Sequence, residues 1–256
     1  MIANYHAHTP RCRHATGREE DYVNRAIEGG LQIMGFSDHT PYPFPGEYYS
    51  TFRMYPDQLE DYCNTVLQLK KDYVNQIELH LGLEVEYYPA FFGELMAILR
   101  SSPVEYMLLG QHFVGNEIGD HYGGWRTDQK ELLVRYVNQT CEAMQTGLFT
   151  YFAHPDMLNV QVEDKLYKEE MRRLCREAKS CGIPLEINLL GIRNGRNYPD
   201  IRFWETAAEE NCIAILGCDS HDAQAACDPK SERIALDMAA RLGLEVLQTV
   251  DLRPIR

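Results

Sequence analysis

Several patterns that define common classes of protein are missing from this 256-residue sequence. There is no uncharged apolar run of eighteen residues and no basic start followed by an apolar stretch, so we expect neither a membrane span nor a secretory leader, and the expected location is the cytoplasm. The eight cysteines form no C-x-x-C pair, which argues against a zinc ribbon and a disulfide framework. The net charge is −13 and no lysine and arginine cluster occurs, so we expect no nucleic-acid partner.

Short apolar runs alternate with longer amphipathic runs along the whole chain, beginning with IANYHAH and EEDYVNRAIEGG. We count seven such strand and helix units, with no linker that would divide residues 1–256 into two domains. Regular alternation of this kind predicts parallel strands joined by right-handed crossovers. Because no G-x-G-x-x-G follows the first strand, an α/β barrel is favoured over an open dinucleotide-binding sheet.

Histidines are concentrated where the predicted strands end. The βα loops of a parallel barrel converge on one mouth, so side chains at these positions are expected to meet. Residues i and i+2 of a strand point to the same face, which lets His6 and His8 aim at one ion. A mixture of imidazole and carboxylate donors favours Zn²⁺, Mn²⁺ or Fe²⁺ over Ca²⁺ or Mg²⁺. The candidate ligands, in chain order, are His6, His8, His14, His39, Glu84 or Glu86, His112, His154, Asp219 and His221.

Any one of these histidines taken alone is more often a hydrogen-bonded structural residue than a metal ligand. Seven of the nine histidines nevertheless lie at or just after a predicted strand end, and the predicted helices contain none. This joint placement is what predicts a metal centre. The two exceptions are His80, for which we expect a role in strand packing, and His121, for which we expect an exposed loop.

The ordered motifs H-x-H, S-D-H, G-L-E, Q-H-F, A-H-P and C-D-S-H resemble those of the PHP (polymerase and histidinol phosphatase) superfamily, from residue 6 to residue 221. Within it, FRMYPDQLEDYCNTVLQLKKDY and EINLLGIRNG resemble the histidinol-phosphatase branch. The resemblance implies a distorted (β/α)7 barrel in one domain, three divalent ions, and Asp38 as a residue that orients a ligand. It assigns His6, His8, Glu84 and Asp219 to the first ion, Glu84, His112 and His154 to the second, and His14, His39 and His221 to the third.

The same resemblance implies a phosphomonoesterase that uses a metal-bridging hydroxide, with L-histidinol phosphate as the expected substrate and L-histidinol and phosphate as the products. Candidate substrate-binding residues are Arg193 in GIRNG, Arg53 in an aromatic-rich loop, and Gln111, where the family usually has a small residue. Each arginine has an ordinary ion pair as its alternative interpretation. The loop at residues 42–55 is expected to form a wall of the substrate pocket.

Other functions remain open at this point. A PHP phosphoesterase that acts on another small phosphate ester or on a phosphotyrosyl protein would carry the same ligands. An amidohydrolase also begins with H-x-H, but it commonly uses a carbamylated lysine at a strand end, and no such lysine is found. An inactive metal-binding module is the third alternative, which the complete ligand set disfavours. The sequence predicts no oligomeric state.

Overall fold

Parallel strands and amphipathic helices alternate in the computed structural model of the protein, which describes residues 1–255. The strands are β1 (Ala3–Asn4), β2 (Ile33–His39), β3 (Glu78–Val85), β4 (Tyr106–Leu109), β5 (Phe113–Val114), β6 (His121–Tyr122), β7 (Leu185–Asn188), β8 (Ile213–Gly217) and β9 (Glu245–Leu247). The helices are α1 (Glu19–Glu28), α2 (Leu59–Asp72), α3 (Pro89–Leu99), α4 (Lys130–Gln145), α5 (Asp164–Ser180), α6 (Leu189–Asn194), α7 (Ile201–Glu209) and α8 (Pro229–Leu242). Short 3₁₀ turns occur at Pro10–Cys12, Pro56–Gln58 and Ala223–Ala226.

The parallel strands form one curled sheet. β1 to β4 are hydrogen-bonded in sequence order, and β7, β8 and β9 form a second run. Phe152 connects the two runs, because it bridges Leu109 at the end of β4 on one side and Leu185 of β7 on the other. A bridge between Ala7 and Ser220 brings the start of the chain beside the end of β8. The predicted α/β class is therefore confirmed, with the parallel strands curled into a half-barrel.

The structure differs from the predicted seven units in three places. The segment FTYFAH forms no ladder, and only Phe152 of it pairs with its neighbours. β9 adds a strand beside β8, and β5 and β6 form an antiparallel hairpin where only a loop was expected. The two hairpin strands are two residues long, which is too short for alternation to be visible in the sequence.

Two apolar layers hold the sheet. The outer layer packs the helices against the strands, and on α5 the residues Tyr167, Met171 and Leu174 are fully buried at helical spacing. The inner layer fills the barrel with three tyrosines, Tyr5, Tyr106 and Tyr151. Burial of an apolar side chain such as Met171 or Leu174 contributes about 1.5–3 kcal/mol.

Tyr106 closes the bottom of the barrel. Its hydroxyl donates a hydrogen bond to the carbonyl of Tyr5 at 2.7 Å. Its ring crosses Gly35 and Gly82, where any Cβ would lie within about 2.2 Å of the tyrosine. Because the interior is filled at this end, the free space of the barrel lies at the carboxyl ends of the strands.

No helix within residues 1–255 is both long enough and apolar enough to cross a membrane. The eight cysteines are free thiols, and six of them are buried. This agrees with the expectation that they act mainly as small apolar side chains.

Candidate metal centre and cavity

The side chains predicted to bind metal meet at the carboxyl ends of the strands. Strand register sets their positions, since His39 ends β2 directly beside Glu84 of β3. The bridge between Ala7 and Ser220 likewise places the H-x-H segment beside the C-D-S-H segment. Nine residues converge on this mouth: His6, His8, His14, His39, Glu84, His112, His154, Asp219 and His221.

Glu84 lies at the centre of this group. Its carboxylate is fully buried and has ring nitrogens of five histidines within 3.7 Å. The shortest contacts are 2.8 Å from Oε1 to Nε2 of His154 and 3.0 Å from Oε2 to Nδ1 of His39. A carboxylate in this position can bridge two cations. The five histidines are His6, His8, His39, His112 and His154.

Several ligand-type atoms at this centre lie close to other charged groups but form no hydrogen bond of good geometry. Among residues 1–255, the buried atoms without a hydrogen bond include Nε2 of His6 and His8, Nδ1 of His39 and His154, and Oε2 of Glu84. Burying such atoms unpaired costs free energy, which a bound cation offsets. The donors include three groups whose atoms lie within 4.8 Å of one another, so the cluster could hold metal ions. These groups are His6, His8 and Asp219, then His6, Glu84 and His154, and then His14, His39 and His221.

The groups of this cluster have pKa values that are shifted in opposite directions. Burial lowers the pKa of His6, but the carboxylates of Glu186, Asp219 and Glu84 outweigh it and hold this pKa well above its ordinary value. Burial also raises the pKa of Asp219, yet the neighbouring imidazoles hold it well below its usual range. For His39, burial and the charge of a neighbouring histidine both lower the pKa. The carboxylates are therefore ionised and part of the imidazoles neutral, which is the state in which both bind cations.

A second set of carboxylates orients the histidine rings from behind. His6 Nδ1 donates to Glu186 Oε1 at 2.8 Å, and His112 Nδ1 donates to Glu86 Oε1 at 2.8 Å. Asp38, predicted to orient a ligand, lies 3.4 Å from Nδ1 of His8. Such contacts fix the tautomer and leave Nε2 free to bind metal.

Glu186 is a site residue that the sequence reasoning missed. Besides His6, it accepts hydrogen bonds from the backbone nitrogen of His154 at 3.0 Å and from Nδ2 of Asn188 at 3.2 Å. Asn188 also donates to Asp219 at 3.1 Å. The available signal was a carboxylate within the otherwise apolar run IPLEI, because acidic residues are rarely buried without a partner.

Two glycines make room for the buried carboxylates. A Cβ on Gly110 would lie 2.0 Å from Oε1 of Glu84, and one on Gly217 would lie 1.4 Å from Oε1 of Glu186. These positions therefore require glycine for steric reasons. His154 and Asp219 in turn have positive φ values of 35° and 46°. Non-glycine residues in this region cost about 1–3 kcal/mol and cluster at functional sites.

A cavity of about 430 Å³ opens above the cluster. His14, His39, His112, Asp219 and His221 lie at its base. Its walls contain the aromatic side chains of Phe52, Phe113, Tyr122 and Trp125, together with Tyr48, Glu117 and Arg196. This size and composition are typical of a site for a small organic ligand. Part of the predicted loop at residues 42–55 therefore does form a wall, through Tyr48, Thr51 and Phe52.

The structure does not bring the three predicted substrate-binding residues to this cavity. Arg53 is fully buried and forms ion pairs with Glu86 and Glu117. Arg193 donates to Asp228 at 2.9 Å and to the carbonyl of Asp219 at 3.3 Å, so it supports the turn that carries a candidate ligand.

Gln111 is also buried, and it bonds to the backbone of Tyr87 and Phe113. The polar groups of all three residues are engaged by protein partners in the structure, and their assignment to substrate binding stays a prediction. Arg196, three residues after Arg193, does line the cavity.

The model of the PHP domain family matches residues 4–189 of the chain. The chain belongs to the PHP domain family. Its relatives include a protein of Deinococcus radiodurans named probable histidinol-phosphatase, which is 25% identical over 86% of this chain and 86% of its own length. Another is the histidinol-phosphatase of Bacillus subtilis, which is 28% identical over 85% of this chain and 92% of its own length.

Among solved structures, this PHP domain is similar to the histidinol phosphate phosphatase of Lactococcus lactis. The two share 20% sequence identity with a TM-score of 0.76, over 100% of this chain and 98% of the other. The Lactococcus protein was crystallised in complex with zinc, L-histidinol and phosphate. At this level of identity, the likeness establishes the fold.

Proposed function

We propose that this PHP protein is a metal-dependent phosphomonoesterase that converts L-histidinol phosphate and water into L-histidinol and phosphate. The observation that carries the proposal is the convergence of nine ligand-type side chains, five of which line the base of a cavity of substrate size. The names of the relatives and the ligands crystallised with the Lactococcus enzyme support this choice of substrate.

Three divalent transition-metal ions, of zinc, manganese or iron, are the proposed cofactors. The first would be held by His6, His8, Glu84 and Asp219, the second by Glu84, His112 and His154, and the third by His14, His39 and His221. Bound there, such ions supply Lewis acidity, which activates water and neutralises charge on a phosphoryl group. Glu186, Glu86 and Asp38 would keep the ligating rings in the required tautomer and orientation.

Arg196 is the proposed phosphate-binding residue. Its guanidinium lines the cavity, and Nη1 donates to the hydroxyl of Tyr198 at 2.8 Å, which holds the side chain in place. Guanidinium groups bind phosphate oxygens through paired charge-assisted hydrogen bonds. Arg196 would thereby hold the ester with its phosphorus facing the histidine cluster at the cavity base.

The organic part of the substrate would contact the opposite wall. Phe52, Phe113 and Trp125 provide aromatic faces, and Glu117 provides a carboxylate among them. Aromatic rings attract cations, and a carboxylate pairs with an ammonium group. Histidinol phosphate carries both an imidazole and an ammonium, so its charge pattern complements this wall. A small phosphate ester without a cationic group would lack this match.

The test is phosphate release by metal-loaded protein from histidinol phosphate, compared with a phosphotyrosyl peptide and a sugar phosphate. We expect preference for histidinol phosphate, loss of activity with a chelator, and recovery when zinc, manganese or iron is returned. His8→Ala should abolish turnover, and Arg196→Met should raise KM about tenfold or more through loss of a charged hydrogen bond. Absence of release with any of the metals would refute the proposal. Location in the cytoplasm and the lack of a nucleic-acid partner stay predictions from the sequence.

A further inference from the structure

Arg53 is the most completely enclosed cation of the cluster region. Its side chain has no solvent exposure, although it belongs to a loop that follows β2. Nε donates to Oε2 of Glu117 at 2.8 Å, and Nη2 forms an ion pair with Oε1 of Glu86. Nη groups also reach the carbonyl of Thr40 at 3.4 Å and the hydroxyl of Tyr88 at 3.3 Å. Every side of the guanidinium is thus engaged by protein.

One of these contacts leads to the metal centre. The oxygen of Glu86 that pairs with Arg53 is the same Oε1 that accepts from Nδ1 of His112. Glu86 Oε2 has no hydrogen-bond partner within residues 1–255. The direction of the carboxylate is therefore set by Arg53 on one side and by the imidazole on the other. On the far side of that ring, Nε2 lies 3.7 Å from Glu84.

The other contact leads to the cavity wall. Glu117 lines the cavity, and its second oxygen accepts from the hydroxyl of Tyr48 at 2.9 Å. The guanidinium carbon also lies 4.5 Å from the ring centroid of Phe52, a cavity residue on the adjoining position of the loop. Arg53 therefore contacts both the wall that faces the organic part of a ligand and the carboxylate behind His112.

We propose that Arg53 is a positioning residue of this phosphatase, which fixes the orientation of His112 through Glu86 and fixes the cavity wall through Glu117. This inference rests on the proposed function. The guanidinium is suited to the role because its planar fork can bind two carboxylates in fixed directions, whereas an ammonium is a point charge. Partners behind a ligating histidine typically change metal affinity by about 10–100-fold when they are removed.

A charge-balanced double variant, a lysine variant and one control separate positioning from folding. Arg53→Met alone would leave two buried carboxylates with one cation fewer, which destabilises the fold, so the test uses a charge-balanced variant instead. The double variant Arg53→Met with Glu117→Gln removes one charge of each sign and keeps the buried charge balanced. Arg53→Lys returns the cation without the fork. The matched control is Arg172→Met, which removes an arginine that also pairs with two glutamates, Glu209 and Glu210, far from the cavity.

The first readout is zinc affinity, measured by competition with a chromogenic chelator. For the charge-balanced variant we expect the weakest-bound zinc to lose about 10–100-fold in affinity, with the other ions retained. Arg53→Lys restores the charge without the fork and should therefore keep a clear part of this loss, whereas Arg172→Met should bind zinc like the original protein. The second readout is the ¹⁵N spectrum of the histidine rings in metal-free protein, where the signals of His112 should change and those of His6 should not.

Unchanged zinc affinity together with unchanged His112 signals in the charge-balanced variant would overturn the proposal, whatever its thermal stability. A purely structural role would lower the unfolding temperature and leave both readouts as they were. The two proposals fail differently. If the proposed function is wrong, the original protein does not release phosphate from histidinol phosphate. The zinc-affinity and NMR results still test the role of Arg53 in that case, because neither measurement requires turnover.

Discussion

Replacement of Gly110 by alanine should disable the metal centre with little effect on the rest of the fold. Gly110 follows β4, and its backbone nitrogen donates to the carbonyl of Val85 at 3.1 Å, so the main chain is held in place. The added Cβ would lie 2.0 Å from Oε1 of Glu84 and 2.5 Å from its Cδ. Ordinary van der Waals contact of a Cβ begins at 3.4 Å, so the Glu84 carboxylate must move by more than about 1 Å.

The magnitude follows from what Glu84 contacts. Displacement of a group at a reacting centre by about 1 Å costs roughly 100-fold in rate. Glu84 has ring nitrogens of five histidines within 3.7 Å, so its displacement disturbs the whole cluster. Overpacking of a buried position costs about 1–3 kcal/mol of stability. We therefore expect kcat/KM for histidinol phosphate to fall about 100-fold or more, with fewer zinc ions bound per chain and a modest decrease in Tm.

Gly93→Ala is the matched control. Gly93 lies within α3, and a Cβ there would meet no atom within 4 Å. Because glycine inside a helix costs about 0.5–1 kcal/mol relative to alanine, this variant should be slightly more stable and fully active. The assays are zinc content by mass spectrometry, steady-state kinetics and thermal unfolding. If Gly110→Ala binds as much zinc as the original protein and retains its kcat/KM within threefold, the reasoning from contact distances is refuted.

Two further substitutions test other parts of the structure. Glu186→Gln should weaken zinc binding about 10–100-fold in a chelator competition, because the carboxylate behind His6 is lost, and unchanged affinity would contradict its orienting role. At the opposite end of the barrel, burial raises the pKa of Glu105, but hydrogen bonds from His80, Lys70 and the backbone of Leu81 lower it to about 2. Since this folded-state pKa lies below the unfolded value, its stabilisation is present above about pH 4.5 and disappears as the pH falls toward 2. Glu105→Gln should therefore lower the free energy of unfolding by about 1 kcal/mol at pH 6, measured by urea unfolding and allowing for the partial exposure of the side chain. The difference from the original protein should become smaller as the pH is lowered. A difference that does not depend on pH would argue against the pKa shift.

The sequence was sufficient to predict the barrel and the residues that meet at its mouth, for a physical reason. Parallel strands share one carboxyl edge, so a residue at a strand end has a predictable location even when its partners are distant in sequence. His39 and Glu84 are 45 positions apart in the chain yet adjacent in register. Their assignment to individual ions still rests on the family resemblance.

The substrate side could not be predicted in the same way, because the use of a charged side chain depends on contacts that strand order does not specify. The guanidinium of Arg53 donates to Glu117, which lies 64 residues further along the chain, and that of Arg193 donates to Asp228, which lies 35 residues further. Arg196 looked no different from Arg193 in the sequence. Glu186 was missed because one carboxylate in an apolar strand has no partner visible before the sheet is assembled.

The most direct test of the central claim is anomalous diffraction at the zinc absorption edge from crystals of the zinc-loaded protein. The proposed function predicts three separate peaks among the nine candidate ligands. These peaks should lie inside the ring formed by His6, Glu84, His112, His154 and Asp219 and the neighbouring imidazoles at the cavity base, and Glu84 should lie between two of them. Fully loaded crystals with no peak among these side chains, or with zinc only at surface residues, would contradict the account.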